Sequence, residues 1–171
     1  AVGEHSASRV VARGQPGPRG PWRRQAGTLG NDRQASSKAG YGSLAGNTTP
    51  LNSLVYYPAD ASYKADFSKW NFNPAKALAL LKKHCTGGPA SVDQGNTSFW
   101  TCAGYPARFR YTWSAANTTR TTQEAIIKQE LRSIGIDLTD ASVPANVLFG
   151  PTGIPSSNYD FANFAWVTAP D

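Results

Sequence analysis

Methionine is absent from all 171 residues, so the chain is expected to be a processed product or a piece of a longer protein. Histidine occurs twice, as His5 in a basic N-terminal stretch and His84 at a helix end. Neither has the neighbours of a general base, and no catalytic residue is expected. Cysteine also occurs twice, without a C-x-x-C or Cys/His spacing, so neither zinc nor any other metal is expected. No apolar run approaches the ~20 residues of a membrane-spanning helix. Residues 1–24 lack the hydrophobic core of a secretory signal. Nucleophile elbows, phosphate-binding loops and dinucleotide fingerprints are missing too. "GYGSLAG" and "GPTGIP" are glycine turns that do not lead a strand into a helix, so no cofactor is expected.

What is present starts with charge. The net charge is +6. Residues 1–40 carry seven basic and two acidic groups, a balance of +5, whereas residues 41–171 carry ten and nine, a balance of +1. The basicity therefore belongs to the N-terminal stretch. "RVVARGQPGPRGPWRRQAG" is rich in Gly, Pro and Arg and reads as an irregular leader over 1–34, a solvated tail unable to offset its chain entropy. Such text is also what a GC-rich gene yields in a wrong reading frame. The ordered domain is expected over 35–171.

Within that domain the elements alternate. "FNPAKALALLKKHCTGG" predicts a helix over 74–84, with Asn73 as N-cap, Pro74 at the first position and glycines beyond the end. Ala77, Leu78 and Leu81 form its buried stripe, and Lys82, Lys83 and His84 meet the negative end of its dipole. "ARFRYTW" alternates strictly and predicts a strand over 107–113 with Phe109, Tyr111 and Trp113 on the buried side. Thr121 and Glu124 have capping-box spacing, which predicts a helix over 122–133 stopped at Gly135. Strands follow over 136–140 and 160–167. Strand, helix and strand in this order imply a parallel crossover and an α/β fold.

The succession "AGNTTPLNS", "FNPAKALALLKKH", "QEAIIKQELRSIGIDLT" and "SSNYDFANFAWVTAPD" resembles the bacterial extracellular solute-binding protein family 5, the oligopeptide- and dipeptide-binding receptors of ABC importers. The resemblance covers about 33–171. It implies a partial lobe of a periplasmic-binding-protein-like (type II) fold, a mixed sheet flanked by helices. It also implies the substrate-binding part of an importer that is not an enzyme. The expected partners are a peptide or other small solute and the permease subunits, with no nucleic acid. The protein is expected to be a monomer, periplasmic or held at the cell surface as a lipoprotein.

By the same resemblance the loop after the last strand lines the ligand cleft, which singles out Trp166, Phe164 and Asp171 as ligand-binding residues. The alternative for Trp166 is that it packs the strand end. Peptide-binding members carry an aspartate three residues after this tryptophan. Here that position is Ala169, and the nearest acid is Asp171. In an exported receptor Cys85 and Cys102, which flank a turn-rich loop, would form a disulfide; the alternative is two buried thiols. A competing reading of the whole chain is an unrelated α/β enzyme, or a nucleic-acid binder using its basic arm.

Overall fold

The structure is a computed structural model that describes residues 5–13, 21–42, 52–53, 56–156 and 159–166. Its elements are β1 (His5–Arg13), α1 (Pro21–Gly30), α2 (Arg33–Tyr41), α3 (Pro74–His84), β2 (Thr101–Cys102), β3 (Tyr105–Pro106), β4 (Arg108–Trp113), α4 (Thr118–Ser133), β5 (Asp137–Asp140), α5 (Ala145–Leu148) and β6 (Tyr159–Trp166). The main sheet has the order β1-β6-β4-β5. β4 runs parallel to both β5 and β6, and β1 is antiparallel to β6, so the sheet is mixed as the α/β reading requires. β2 and β3 form a separate hairpin.

Local sequence explains most element ends. Asn73 accepts the Lys76 amide at 2.9 Å and Pro74 occupies the first turn of α3, where a missing N–H costs nothing. The helix buries Ala77, Leu78 and Leu81. α4 starts four residues earlier than its capping box suggests. Asn117 is the N-cap, accepting the Arg120 amide at 3.0 Å, and the Thr121 hydroxyl turns back to the Asn117 carbonyl within the first turn. Its buried side mixes polar and apolar residues: Arg120, Gln123 and Ser133 are buried with Ile127 and Leu131, and Ala125 is exposed.

The core lies on one face of the sheet. Phe109, Tyr111 and Trp113 of β4 and Phe161 of β6 point into it, joined by Ala26 and Leu29 of α1, Ala77, Leu78 and Leu81 of α3, and Ile127 and Leu131 of α4. Register places Tyr111 opposite Phe161 and Phe109 opposite Leu138.

The expectation of an irregular leader over 1–34 is corrected for its described residues, 5–13 and 21–34; the rest of it lies outside the described residues. Residues 5–13 form β1, and residues 21–30 form α1, with Ala26 and Leu29 at 0% and 1% exposure. Trp22, Ala26 and Leu29 recur at the spacing of one helical face, a stripe masked by Gly and Arg in the composition. Gly27 lets α1 lie flat on the sheet, since a Cβ there would come within 2.9 Å of the Phe161 ring. Two arginines of the expected leader, Arg23 and Arg33, are part of this packing. Arg23 overlies the Phe109 ring at 4.9 Å and donates to the Arg108 carbonyl at 3.2 Å. Arg33 donates to Asn52 and Asn71 at 2.9 and 3.0 Å. Both guanidinium pKa values are lowered by burial. His84 does more than meet a helix dipole: it stacks on Trp22 with ring centroids 5.1 Å apart.

Candidate functional site

Three strands, β4, β5 and β6, point the same way, and the chain leaves the carboxyl ends of β4 and β5 by two described loops. In open α/β sheets ligands bind outside this edge. After β4 and β5 the two chains stay paired: the Ala115 amide donates to the Val143 carbonyl at 2.8 Å and the Val143 amide to the Trp113 carbonyl at 3.0 Å. Asp140 ends β5 and gathers the local donors. It accepts the Trp113 indole N–H at 3.0 Å, the Ser142 amide at 2.7 Å and the Ser142 hydroxyl at 3.2 Å. Ala116 takes a positive φ of 62°, turning the chain into the Asn117 cap of α4. This edge is a rim of short polar side chains held from below by strand pairing.

The aromatic part of the rim comes from β6 and α5. Asn163 points toward α4, so strand alternation sends Phe164 to the opposite face. There Phe164 meets Phe149 edge-on, with ring centroids 6.2 Å apart and planes at 88°. α5 is pinned by Leu148, which is fully buried, while Phe149 just beyond it is 55% exposed. Trp166 is the last residue of β6, level with His5 of β1 in register. Asp171 lies outside the described residues, as do Ala169 and the final residue of the expected 160–167 strand. The structure therefore brings Phe164 and Trp166 to one strand end.

Sequence reading did not pick out the Asp140–Ser142–Trp113 cluster or Phe149. The available signal was an acid, then Ser142, at the end of the "IDLTD" strand, and an aromatic just after a short apolar turn.

Behind the rim lies a buried polar network. Arg120 donates to Asn163 at 2.6 Å and to Gln123 at 3.1 Å. Asn163 in turn donates to the Tyr111 hydroxyl at 2.6 Å and to Gln123 at 2.8 Å. Gln123 reaches the Ser36 carbonyl of α2 at 3.4 Å, and Tyr41 presents its ring to Arg120 at 5.9 Å. Burial pushes the Tyr111 hydroxyl pKa up to about 12, against the lowering effects of its Asn163 bond and the Arg120 charge. Burial also raises Glu124, with Lys128 opposing and Asp140 adding to the rise. The network ties α2, α4, β4 and β6 together and keeps the strand ends in place.

At the other end of the sheet Cys85 and Cys102 are joined in a disulfide, with Cα atoms 4.2 Å apart, slightly under the usual 4.4–6.8 Å. Among the described residues, no group of three or more His, Cys, Asp or Glu side chains is placed to hold a metal ion, and no helix is long and apolar enough to cross a membrane.

Fold and rim together define a piece of a periplasmic-binding-protein-like lobe, a class in which solutes meet an α/β sheet edge. The family model for bacterial extracellular solute-binding proteins, family 5 middle region, matches residues 21–171, and the chain belongs to that family. Among solved structures it is similar to the oligopeptide binding protein from Thermus thermophilus complexed with a pentapeptide, at 23% identity and a TM-score of 0.63, covering 85% of this chain and 24% of that one. NikA from Brucella suis in complex with Fe(III)-EDTA matches at 16% identity and TM-score 0.64, over 98% of this chain and 31% of that one. An ABC transporter substrate-binding protein from Sinorhizobium meliloti matches at 26% identity and TM-score 0.52, over 88% and 27%. The chain thus spans between 24% and 31% of the length of these three relatives. No curated protein matches it by sequence. The match begins at residue 21, so α1 falls within the family region, twelve residues before the start that the sequence resemblance suggested.

Proposed function

We propose that this chain is one portion of the solute receptor of an ABC-type importer, which captures peptides or other small solutes outside the cytoplasm and hands them to the permease subunits. The observation that carries this reading is the family match across residues 21–171. The relatives of known structure hold ligands as different as a pentapeptide and a metal chelate, so the solute class is set by details of the site. In this reading Trp166 and Phe164 supply apolar contact, Asp171 supplies a charge, and the receptor works without catalysis or cofactor. The protein acts as a monomer, in the periplasm or tethered to the cell surface by a lipid. An oxidising compartment is also where a disulfide such as Cys85–Cys102 persists.

The test is titration calorimetry on the full-length protein with short peptides, oligosaccharides and chelated metal ions. One class should bind with a micromolar or tighter dissociation constant, and Trp166→Ala should weaken it by roughly tenfold or more, the cost of losing ~1–3 kcal/mol of apolar contact. Absence of binding to every class, or an unchanged affinity in the variant, would overturn the reading.

A further inference from the structure

At the amino end of the parallel strands, away from the rim, the loop between Cys85 and Cys102 wraps the last turn of α4. A helix ends with carbonyls that have no partner inside it. Here the loop supplies those partners one after another. Asn96 Nδ2 donates to the Arg132 carbonyl at 2.8 Å, and the Asp93 amide to that of Ser133 at 3.0 Å. The Trp100 indole N–H donates to Ile134 at 2.7 Å, and the Trp100 amide to Gly135 at 3.0 Å. Arg132 Nε answers with a bond to the Asn96 carbonyl at 2.7 Å. Gly135, with φ of +81°, leaves room for the indole: a Cβ there would come within 2.7 Å of Trp100 Nε1.

Apart from those bonds, side-chain burial gives the loop little further hold. Of residues 86–101 only Pro89, Asn96 and Trp100 are buried. Its ends are brought together by the Thr86–Thr101 bridge and by the disulfide, which links positions 17 residues apart. Without that closure, ordering the loop on α4 costs chain entropy that three buried side chains offset poorly.

We propose that Cys85–Cys102 is a redox-controlled latch. Oxidised, it holds the loop as a cap on α4. Reduced, it frees the loop and loosens the corner from α4 into β5, while the β4–β6 part of the sheet stays folded. In the reducing direction the cystine takes two electrons and two protons from a dithiol, which leaves as its own disulfide; closure is the reverse exchange with a disulfide oxidant. With Cys85 and Cys102 at 8% and 2% exposure, the exchange must wait for the loop to open. Loosening at Gly135 would pass along β5 to Asp140 at the rim. A fall in solute affinity on reduction rests on the importer reading, whereas the opening of the latch does not.

Amide hydrogen exchange on the full-length protein, oxidised and reduced, separates the two. On reduction, and in the Cys85→Ser/Cys102→Ser variant, the amides of Thr86, Asp93, Trp100 and Thr101 should exchange faster by on the order of tenfold or more, with those of β4 and β6 unchanged. Trp100→Phe with the cystine intact keeps an aromatic ring, though a smaller one, and loses the bond to Ile134; it should speed exchange only around the last turn of α4. Unchanged exchange in the loop on reduction overturns the proposal. Loss of protection across the whole sheet overturns it too, since the cystine would then govern global folding rather than a local latch.

Discussion

The Asp32 amide donates to the Glu130 carboxylate at 2.8 Å, joining the α1–α2 corner to α4. The Asp32 side chain is itself engaged nearby, accepting the Gln34 and Ala35 amides at the start of α2. Burial raises the Glu130 pKa from the ordinary 4.5 to about 8; the bond from Asp32 opposes the rise and the Asp32 charge adds to it. The folded chain therefore keeps this proton over a range where the unfolded chain has lost it. Stability from this group is fully present below about pH 4.5, falls as pH rises, and is lost once pH passes about 8. Glu130→Gln keeps an acceptor for the Asp32 amide and removes the titration. The variant should match the wild type near pH 4 and be the more stable of the two at pH 8, by about 1–3 kcal/mol. Melting temperatures measured across that range decide it, and a difference independent of pH would count against the role given to Glu130.

Asn163 is 1% exposed and sits among Arg120, Gln123 and Tyr111. Asn163→Ala leaves a buried guanidinium short of an acceptor and the Tyr111 hydroxyl short of a donor. It should destabilise by about 2–4 kcal/mol in chemical denaturation. Tyr111→Phe removes one hydroxyl and leaves Asn163 in contact with its other partners, and should cost about 1 kcal/mol. Equal losses in the two variants would show that the guanidinium does not depend on Asn163.

If the chain is one portion of a solute receptor, as proposed, it should bind solutes poorly when isolated. Full affinity in a clamshell receptor comes from burying most of the ligand between two walls and excluding water. A single wall offers ~1–3 kcal/mol of apolar contact, short of the ~4 kcal/mol of millimolar binding. Calorimetry of the 171-residue chain with short peptides and oligosaccharides is expected to give no measurable heat. A micromolar constant would mean that the chain holds a complete site.

Sequence made the middle of the chain readable because local signals and tertiary environment agree there. Asn73 and Pro74 start α3, and the alternation of "ARFRYTW" marks β4. α1 was hidden because its stripe is only Trp22, Ala26 and Leu29, set among residues that usually mark irregular chain, and because Gly27 serves close packing rather than a turn. The early start of α4 was hidden by competition: Asn117 and Thr121 are both good caps, and tertiary packing of Arg120 chose the former. At the candidate site the strand end bearing Phe164 and Trp166 was legible. The Asp140 cluster was not, since it depends on which strand ends lie side by side.

The sheet order has a consequence for the chain as it is made. β4 lies between β5 and β6, and both follow it in sequence. Until Asp137 and Tyr159 have emerged, both backbone edges of β4 are without the partners they will have. Such a strand readily pairs with another copy of itself. Arg108 and Arg110 alternate with its apolar residues, and like charges set side by side discourage that pairing. Once β5 arrives, Arg108 stands opposite Asp137 in register and bonds it at 2.7 Å. The pair is too exposed to add much to the finished fold. Its greater value is in keeping newly made chains apart and giving the repelling charge a partner when the right strand comes.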